Sequence, residues 1–259
     1  MISQSLPKEL LDLLRVLEYW DHLLIGLAKT MWLYVWALLF GFFLGLLLAL
    51  LRQYGGRILS RIATGYIEIV RGTPLLVQLL FIYFLPFSIN SFLEAQGLPF
   101  IPIGRWSFYV TSELFGRTMT MVFLDHITLM GILTLGLNSA AYQAEYFRGA
   151  VMSISSGQLE AAQSIGMSRR SGILHIVLPQ ALRRVIPAWS NEAAYLPKYT
   201  VVVFYIGLTE LFAQAHYIIS QTFLTLSVYI VVSLIFLVII TLISKSLDIL
   251  YKRTAIPGL

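Results

Sequence analysis

The sequence predicts an all-α membrane protein with about five transmembrane helices. Charged residues make up only 12% of the chain and apolar residues 58%, and the mean hydropathy is +0.79. A chain of this composition buries several apolar segments in lipid and leaves no room for a large soluble domain. Stretches of alternating polarity, which would indicate a membrane β-barrel, do not occur. Because backbone polar groups in lipid must be paired within the protein, the spans are expected to be helices.

The chain opens with a predicted interfacial helix over residues 1–22. Leu10, Leu13, Leu14 and Leu17 recur at three- and four-residue steps, with acidic residues between them. This spacing gives the helix one apolar face, which is typical of a helix that lies on a membrane surface.

A predicted membrane body follows over residues 23–251, and residues 252–259 form a cytoplasmic tail. The five spans are expected at about residues 23–51, 65–88, 127–147, 185–211 and 223–250. In the first span, Gly41 and Gly45 form a G-x-x-x-G pair, which lets another helix approach closely.

The second span carries polar and helix-loosening residues near its start. Gly72 and Pro74 are expected to loosen the helix, and the Thr73 hydroxyl to satisfy a freed carbonyl. Gln78 lies one turn beyond Pro74, inside the apolar run, so we expect it to face protein or a cavity. Either a hydrogen bond between helices or a ligand contact would explain it.

The third and fourth spans contain the polar residues that are hardest to explain in lipid. Asn138, Tyr142 and Glu145 share one helix face, and so do Asn191, Tyr195 and Lys198. Charged residues within a membrane helix indicate a functional site.

Three residues of these two spans carry further expectations. Glu145 is expected to form an ion pair with Arg148 at the membrane edge. Glu192 lies about 100° round the helix from Asn191. Pro197 is expected to kink or break the helix and to bring Glu192 and Lys198 toward one cavity.

Between these two spans lies the stretch EAAQSIGMSRRSGILHIVLP, from Glu160 to Pro179. Its fixed positions are Glu160-Ala161-Ala162, Gly166 and Ile176-x-Leu178-Pro179. This pattern resembles the EAA loop of the permease subunits of bacterial binding-protein-dependent ABC importers. The resemblance implies a cytoplasmic coupling helix, within residues 157–179, that docks into a groove on a separate ATPase.

Two further runs strengthen the resemblance. RGTPLLVQ, at residues 71–78, resembles a signature of polar amino-acid permeases, and NSAAYQAEYFRGAV, at residues 138–151, resembles the lead-in to their coupling loop. The chain is therefore identified as a member of the polar amino-acid ABC importer permease family, with a type I (MetI-like) transmembrane domain in the bacterial cytoplasmic (inner) membrane. The residues expected to couple to the ATPase are Gln158, Glu160, Ala161, Ala162, Gly166, Met167, Ser168 and Arg169.

The same resemblance implies a set of partners. Two ATPase subunits would bind ATP and Mg, so no cofactor is expected in this chain. A second permease, identical or paralogous, would complete the path, and an extracytoplasmic amino-acid-binding protein, separate or fused to a partner, would deliver the substrate. The long, turn-rich, aromatic segment 89–126 is expected to lie outside, where such a protein would dock.

The distribution of positive charge supports this topology. With the coupling loop inside, most of the 18 lysines and arginines fall in inside segments, which places the N-terminus outside and the C-terminus inside. The net charge of +5 therefore orients the protein in the membrane and does not indicate nucleic-acid binding.

The sequence offers no catalytic centre. No G-x-x-x-x-G-K-[ST] phosphate loop, H-E-x-x-H or G-x-S-x-G motif occurs, and the four histidines are scattered, so neither catalytic residues nor a metal site are predicted. The lack of cysteine excludes thiolate catalysis, disulfides and iron–sulfur clusters.

The predicted activity is therefore import of a polar amino acid by alternating access. A zwitterion in a dry site needs an acceptor for its ammonium group and a donor for its carboxylate, and Glu192 and Lys198 supply that pair unless they simply pair with each other or with a neighbouring subunit. The residues expected along the path are Asn138, Tyr142, Asn191, Glu192, Tyr195, Lys198, Thr200, Gln78 and Thr73.

The substrate class and the activity itself each have open alternatives. Tyr199 stands where the family commonly has Asp, and this loss of an acid favours acidic or neutral over basic amino acids. An ion-coupled secondary amino-acid transporter and a non-transporting scaffold subunit are the rival activities.

Overall fold

The computed structural model describes residues 7–99, 106–114 and 116–254, and most of them are helical. Outside this part lie residues 1–6 of the predicted interfacial helix, residues 100–105 of the predicted external loop, and residues 255–259 of the predicted tail. The elements in chain order are α1 (Lys8–Leu17), α2 (Trp20–Tyr54), α3 (Gly56–Gly72), α4 (Leu75–Ala95), β1 (Ser107–Leu114), β2 (Arg117–Asp125), α5 (His126–Met152), α6 (Ser156–Ser164), α7 (Arg169–Gly172), a π-helical turn (Ile173–Val177), α8 (Leu178–Arg184), α9 (Ile186–Tyr199), a 3₁₀ helix (Thr200–Ile206), α10 (Leu211–Thr222) and α11 (Thr225–Thr254).

Three helices of the described part are long and apolar enough to cross a membrane, namely α2, α4 and α11. The bent pair formed by Ile186–Ile206 and Leu211–Thr222 adds a fourth if it is one broken span. The helix at the predicted third span, α5, is not among them. Its second half carries polar residues that are buried against protein, so it does not need the apolar surface of a lipid-facing helix.

The chain forms two compact units, each built from three separate stretches. The first comprises Met1–Ala37, Pro74–Leu135 and Pro197–Ile239, and the second Leu38–Thr73, Gly136–Leu196 and Ile240–Leu259. In the first unit, buried apolar residues of α1, α2, α10 and α11 form one core. The second unit has two cores: one joins α2 and α5 to the segment after α6, and the other joins α2, α3 and α5.

Segment 89–126 is more regular than predicted, and the all-α prediction is wrong there. Helix α4 continues to Ala95, and β1 and β2 pair as an antiparallel hairpin. The β-branched and aromatic residues of this stretch favour strands, and Gly116 supplies the positive φ (76°) of the turn. Arg117 ties the hairpin to α2 through a 2.8 Å ion pair with Asp21.

The predicted second span is broken rather than continuous. Helix α3 ends at Gly72 and α4 begins at Leu75, because Pro74 lacks an N–H group and disfavours a helical conformation at Thr73. The Thr73 hydroxyl donates to the Ile69 carbonyl at 2.9 Å, as predicted. This bond satisfies one of the backbone acceptors that the end of α3 leaves open.

The predicted fourth span and the turn after it also differ from expectation. Pro197 lies inside α9, which continues to Tyr199, and the chain then tightens into the 3₁₀ helix. The stretch between the predicted fourth and fifth spans, which contains Gln214 and His216, is helical and belongs to α10. Glu210 caps that helix, because its carboxylate accepts from the backbone N–H groups of Phe212 and Ala213 at 2.8 and 2.9 Å.

The G-x-x-x-G prediction is confirmed, and α5 is the helix that approaches. A Cβ atom at Gly45 would lie 2.9 Å from the backbone oxygen of Ala140, and one at Gly41 would lie 2.6 Å from Nε2 of Gln143. Backbone atoms cannot move away as a flexible side-chain end can. Gly45 is therefore the tighter constraint on the packing of α2 against α5.

We expect Gly45→Ala to lower the free energy of unfolding by about 1–3 kcal/mol, because the added methyl group overlaps the α5 backbone. Gly65→Ala in α3 is the matched control, since a Cβ there meets no atom within 4 Å. It should be neutral or stabilise by up to about 1 kcal/mol through helix propensity. Thermal unfolding of the two purified variants measures the difference, and equal midpoints would contradict this account of the packing.

Candidate coupling loop and solute path

Helix α6 and the turn after it present most of the predicted coupling residues to the surface. Gln158, Glu160, Ala161 and Gly166 are exposed, and the tip residue Ile165 has 81% of its surface exposed. Ser168 and Arg169 are also exposed, and Met167 is half-buried. Ala162 differs, because it is buried on the inner side of α6. Ala162 therefore packs within the loop and is not part of the outer face of the loop.

The end of α6 has the hydrogen bonds of a Schellman motif. Gly166 has a φ of +89°, its N–H donates to the Gln163 carbonyl at 3.0 Å, and the Met167 N–H donates to the Ala162 carbonyl at 3.1 Å. Glycine adopts this left-handed conformation without steric cost. Helix α6 therefore ends at Ser164, just before Gly166, and this motif is the physical cause.

The sequence analysis missed Gly172, which lets α6 pack closely. A Cβ atom there would lie 2.7 Å from Cδ1 of Leu159 and 3.4 Å from Cβ of Ala162. The Ser168 hydroxyl caps the short helix that contains Gly172, because it accepts from the Ser171 N–H at 3.2 Å. The close packing of α6 therefore depends on Gly172. The exposed face of α6 carries Glu160, one of the fixed positions of the motif.

A cavity of about 490 Å³ lies beside the loop within the second unit. Its lining includes Glu160, Gln163 and Arg169 from the loop and Tyr54 from α2. The Arg169 guanidinium lies over the Tyr54 ring, 5.8 Å from its centroid. This contact joins the C-terminal end of the long helix α2 to the coupling loop.

Glu192 is turned into the protein. Only 3% of its surface is exposed, and its carboxylate accepts from the Ser139 hydroxyl at 2.6 Å. Gln143 donates to the same hydroxyl at 3.0 Å and accepts from Nε1 of Trp189 at 2.7 Å. This geometry joins α9 to α5 and does not present the Glu192 carboxylate to a solute. The partners Ser139, Gln143 and Trp189 were not identified from the sequence, because each resembles an ordinary residue of an apolar helix.

The other predicted path residues fall into two groups. Asn191, Tyr195 and Lys198 are exposed on α9, one or two turns apart. The others are buried or already in contact with the protein. Asn138 and Thr200 are buried, and the Thr200 hydroxyl donates to the Pro197 carbonyl. Tyr142 lies beneath the Arg71 guanidinium, Gln78 is half-buried, and the Thr73 hydroxyl donates to the Ile69 carbonyl.

Glu145 is the centre of an ion-pair cluster at the ends of three helices. Arg148 pairs with it at 2.8 Å, as predicted, and Arg52 of α2 forms a second ion pair. Arg71 of α3 lies 3.8 Å away. The cluster fixes the ends of α2, α3 and α5 together within the second unit, and this supports a structural role for Glu145.

The fold and the loop define a helical membrane protein with an exposed loop. Residues 41–256 match the family "Binding-protein-dependent transport system inner membrane component", and the chain belongs to that family.

Individual relatives agree. The nopaline transport system permease protein NocM of Agrobacterium fabrum is 34% identical over 235 residues, which are 91% of this chain and 88% of that one. The glutamine transport system permease protein GlnP of Escherichia coli K12 is also 34% identical over 235 residues, covering 90% of this chain and 93% of that one.

Solved structures extend the comparison to the fold. A crystal structure of an amino acid ABC transporter with histidines superposes with a TM-score of 0.71 at 30% identity, covering 93% of this chain and 97% of that one. The MetNI methionine ABC transporter in an inward facing conformation superposes with a TM-score of 0.67 at 19% identity, covering 91% of this chain and 97% of that one. This similarity shows the shared fold alone.

This protein is thus a permease subunit of a binding-protein-dependent ABC amino-acid importer in the inner membrane, with the fold of type I ABC importer transmembrane domains. It is a transport subunit and carries no catalytic domain. Membership of this family decides against an ion-coupled secondary transporter and a non-transporting scaffold.

Proposed function

We propose that the exposed α6–α7 loop is the coupling element through which two ATPase subunits drive alternating access. The observation that carries the proposal is the combination of a rigid inner face and an open outer face on one short segment. Ala162 and Gly172 hold α6 in place, the Schellman motif sets its end, and Glu160 and Ile165 remain exposed. An exposed apolar residue such as Ile165 on an ordered segment supports a contact surface for a partner.

The assembly follows from this assignment. ATP and Mg belong to the two ATPases, and this chain needs no cofactor of its own. A second permease, as an identical copy or a paralogue, completes the path, and an amino-acid-binding protein docks on the outside, near segment 89–126. The chain crosses the membrane five times, with α5 and the bent α9–α10 pair as spans, its N-terminus outside and its C-terminus inside.

The substrate is proposed to be a neutral or acidic polar amino acid. Asn191, Tyr195 and Lys198, which we call the α9 stripe, are exposed on one helix and combine a cation with hydrogen-bonding groups. Lys198 would meet the substrate carboxylate. Relatives that transport glutamine support a neutral side chain. Glu192 serves the same site indirectly, because its bond to Ser139 fixes the orientation of α9 on α5.

We expect Lys198→Ala to lower amino-acid uptake by about tenfold or more without releasing the ATPase, since an exposed cation on the stripe meets the substrate and not the coupling loop. Lys252→Ala near the end of α11 is the control, because it removes the same charge outside the stripe. Uptake into proteoliposomes and co-purification of the ATPase are measured together. Loss of the ATPase from the Lys198 variant would contradict the assignment.

The proposed function as a whole is tested by co-purification with the products of neighbouring genes, followed by substrate-stimulated ATPase assays across a panel of amino acids. We expect an ATPase to co-purify and one or a few polar amino acids to stimulate it through the binding protein. Stimulation by basic amino acids alone would contradict the proposed substrate class.

A further inference from the structure

Helix α3 has three distinct faces, and two of them face away from the rest of the protein. Ala63 and Ile67 form the buried face, in the core shared with α2 and α5. Ile58, Ile62 and Ile69 lie within about 40° of one another on a second face. They expose 74%, 65% and 67% of their surfaces, respectively. This apolar stripe is too exposed to be part of a protein core and needs a cover of lipid or protein.

Two arginines line one side of the apolar stripe. Arg57 and Arg61 lie one turn apart, about 60° to 140° round the helix from the isoleucines, and both are exposed. Within the described residues, neither makes an ion pair or a side-chain hydrogen bond. Glu68, on the same side two turns further along, is 3.6 Å from Arg52. The neighbouring carboxylates Glu68 and Glu145 are thus engaged by other arginines, and Arg57 and Arg61 stay available to an outside anion.

The position of α3 in the chain sets the level of these residues in the membrane. The sequence of α2 has no charged residue between Lys29 and Arg52, so the apolar part of this span ends just before Arg52. Helix α3 begins only two residues after α2 ends at Tyr54. Arg57 is therefore near the surface of the bilayer at the end of a span, where lipid phosphates lie.

From this geometry we propose that the first half of α3 is a binding site for an anionic phospholipid. The phosphate lies between Arg57 and Arg61, and an acyl chain covers the stripe of Ile58, Ile62 and Ile69. The two parts of the site match the two parts of the ligand: paired guanidinium groups bind a phosphate through charge-assisted hydrogen bonds, and the adjacent apolar stripe takes hydrocarbon. A zwitterionic phospholipid also carries a phosphate, but its ammonium group cancels that charge, so the two arginines favour a lipid with a net negative charge.

The experiment uses the complete transporter in nanodiscs. Because the chain has no cysteine, Ile62→Cys is its single labelling position, and the chain is labelled with a fluorophore before assembly with unlabelled partners. Quenching is measured with nitroxide carried on the acyl chain of phosphatidylglycerol or, in a parallel sample, of phosphatidylcholine. We expect the label to select phosphatidylglycerol, and Arg57→Gln with Arg61→Gln to weaken that selection about 30-fold, about fivefold for each arginine.

Two controls distinguish a specific lipid site from a general effect of positive charge and from damage to the fold. Lys252→Gln with Arg253→Gln removes the same charge from the end of α11 and should leave the selection unchanged. Arg57→Lys with Arg61→Lys keeps the charge and should retain most of the selection for phosphatidylglycerol. Equal quenching by the two lipids in the parent protein would overturn the proposal. Oxidative cross-linking of Ile62→Cys between two permease copies would also overturn it, because the stripe would then be an interface between proteins.

Discussion

Replacing Gly166 by Asp is expected to abolish ATP-coupled uptake while the permease remains folded in the membrane. Position 166 has a φ of +89°, which side chains other than glycine tolerate poorly, at a cost of about 1–2 kcal/mol. That cost falls on an exposed loop rather than on a core, so the spans stay intact. The loop end would refold, however, and both Ile165 and Glu160 would leave the positions that a partner recognises.

The control for Gly166→Asp is Gly116→Asp in the hairpin turn. Gly116 has a φ of +76° and open space around it, as Gly166 has, so the backbone strain is matched while the location differs. Retention of the ATPase on the purified permease and ATP hydrolysis in proteoliposomes are the measurements. Only the Gly166 variant should lose the ATPase or its coupling. A stable Gly166→Asp complex with full coupled activity would refute the coupling assignment.

A charge reversal tests the same loop without backbone strain. Glu160→Lys should have the effect of Gly166→Asp, because the carboxylate is exposed on α6 and is proposed to hold the docking geometry. Gln163→Lys on the same helix should be milder, since no fixed residue of the motif is lost. Equal effects at the two positions would mean that added positive charge, and not the loss of Glu160, disturbs docking.

Replacing Glu192 by Ala is expected to destabilise the protein by about 3 kcal/mol, and replacing it by Gln to preserve most of the stability and uptake. The alanine variant leaves a cavity and an unsatisfied Ser139 hydroxyl between α5 and α9. The glutamine side chain keeps an acceptor oxygen and nearly the same volume. A role in binding the substrate ammonium would instead require the negative charge.

Stability and transport must be measured on the same samples to separate these roles of Glu192. Ser139→Ala is the companion variant, because it removes the other end of the bond and leaves the carboxylate in place. If Glu192→Gln is as stable as the parent protein but does not transport, then Glu192 acts on the substrate. The positioning role proposed for it would then be wrong.

The features that the sequence predicted well depend on short stretches of chain. The Schellman end of α6 follows from a helical run that stops at Gly166, and Thr73 bonds to Ile69 because both are in the same turn. The pairing of Glu145 with Arg148 likewise follows from their spacing on one helix. The close approach at Gly41 and Gly45 was also predicted, but not that α5 is the helix that approaches them.

The features that the sequence analysis missed depend on partners far away in the chain. Arg52 binds Glu145 although 93 residues separate them, and Ser139 binds Glu192 across 53 residues. No local pattern distinguishes Ser139 from other small residues in α5. The β1–β2 hairpin was missed for a different reason: its strands are short and mostly exposed, so the alternation of polar and apolar residues is weak.

The sequence by itself determined that the chain is a helical membrane protein and which of its loops we propose as the coupling element, because composition, helix periodicity and a motif with fixed spacing are properties of contiguous residues. The tertiary structure decided which polar residues are buried and which are exposed. It turned Glu192 inward onto Ser139 and left Lys198 exposed on the same helix. Burial depends on what packs against each side of a helix, and in this protein the helix packed there, α5, comes from an earlier part of the chain.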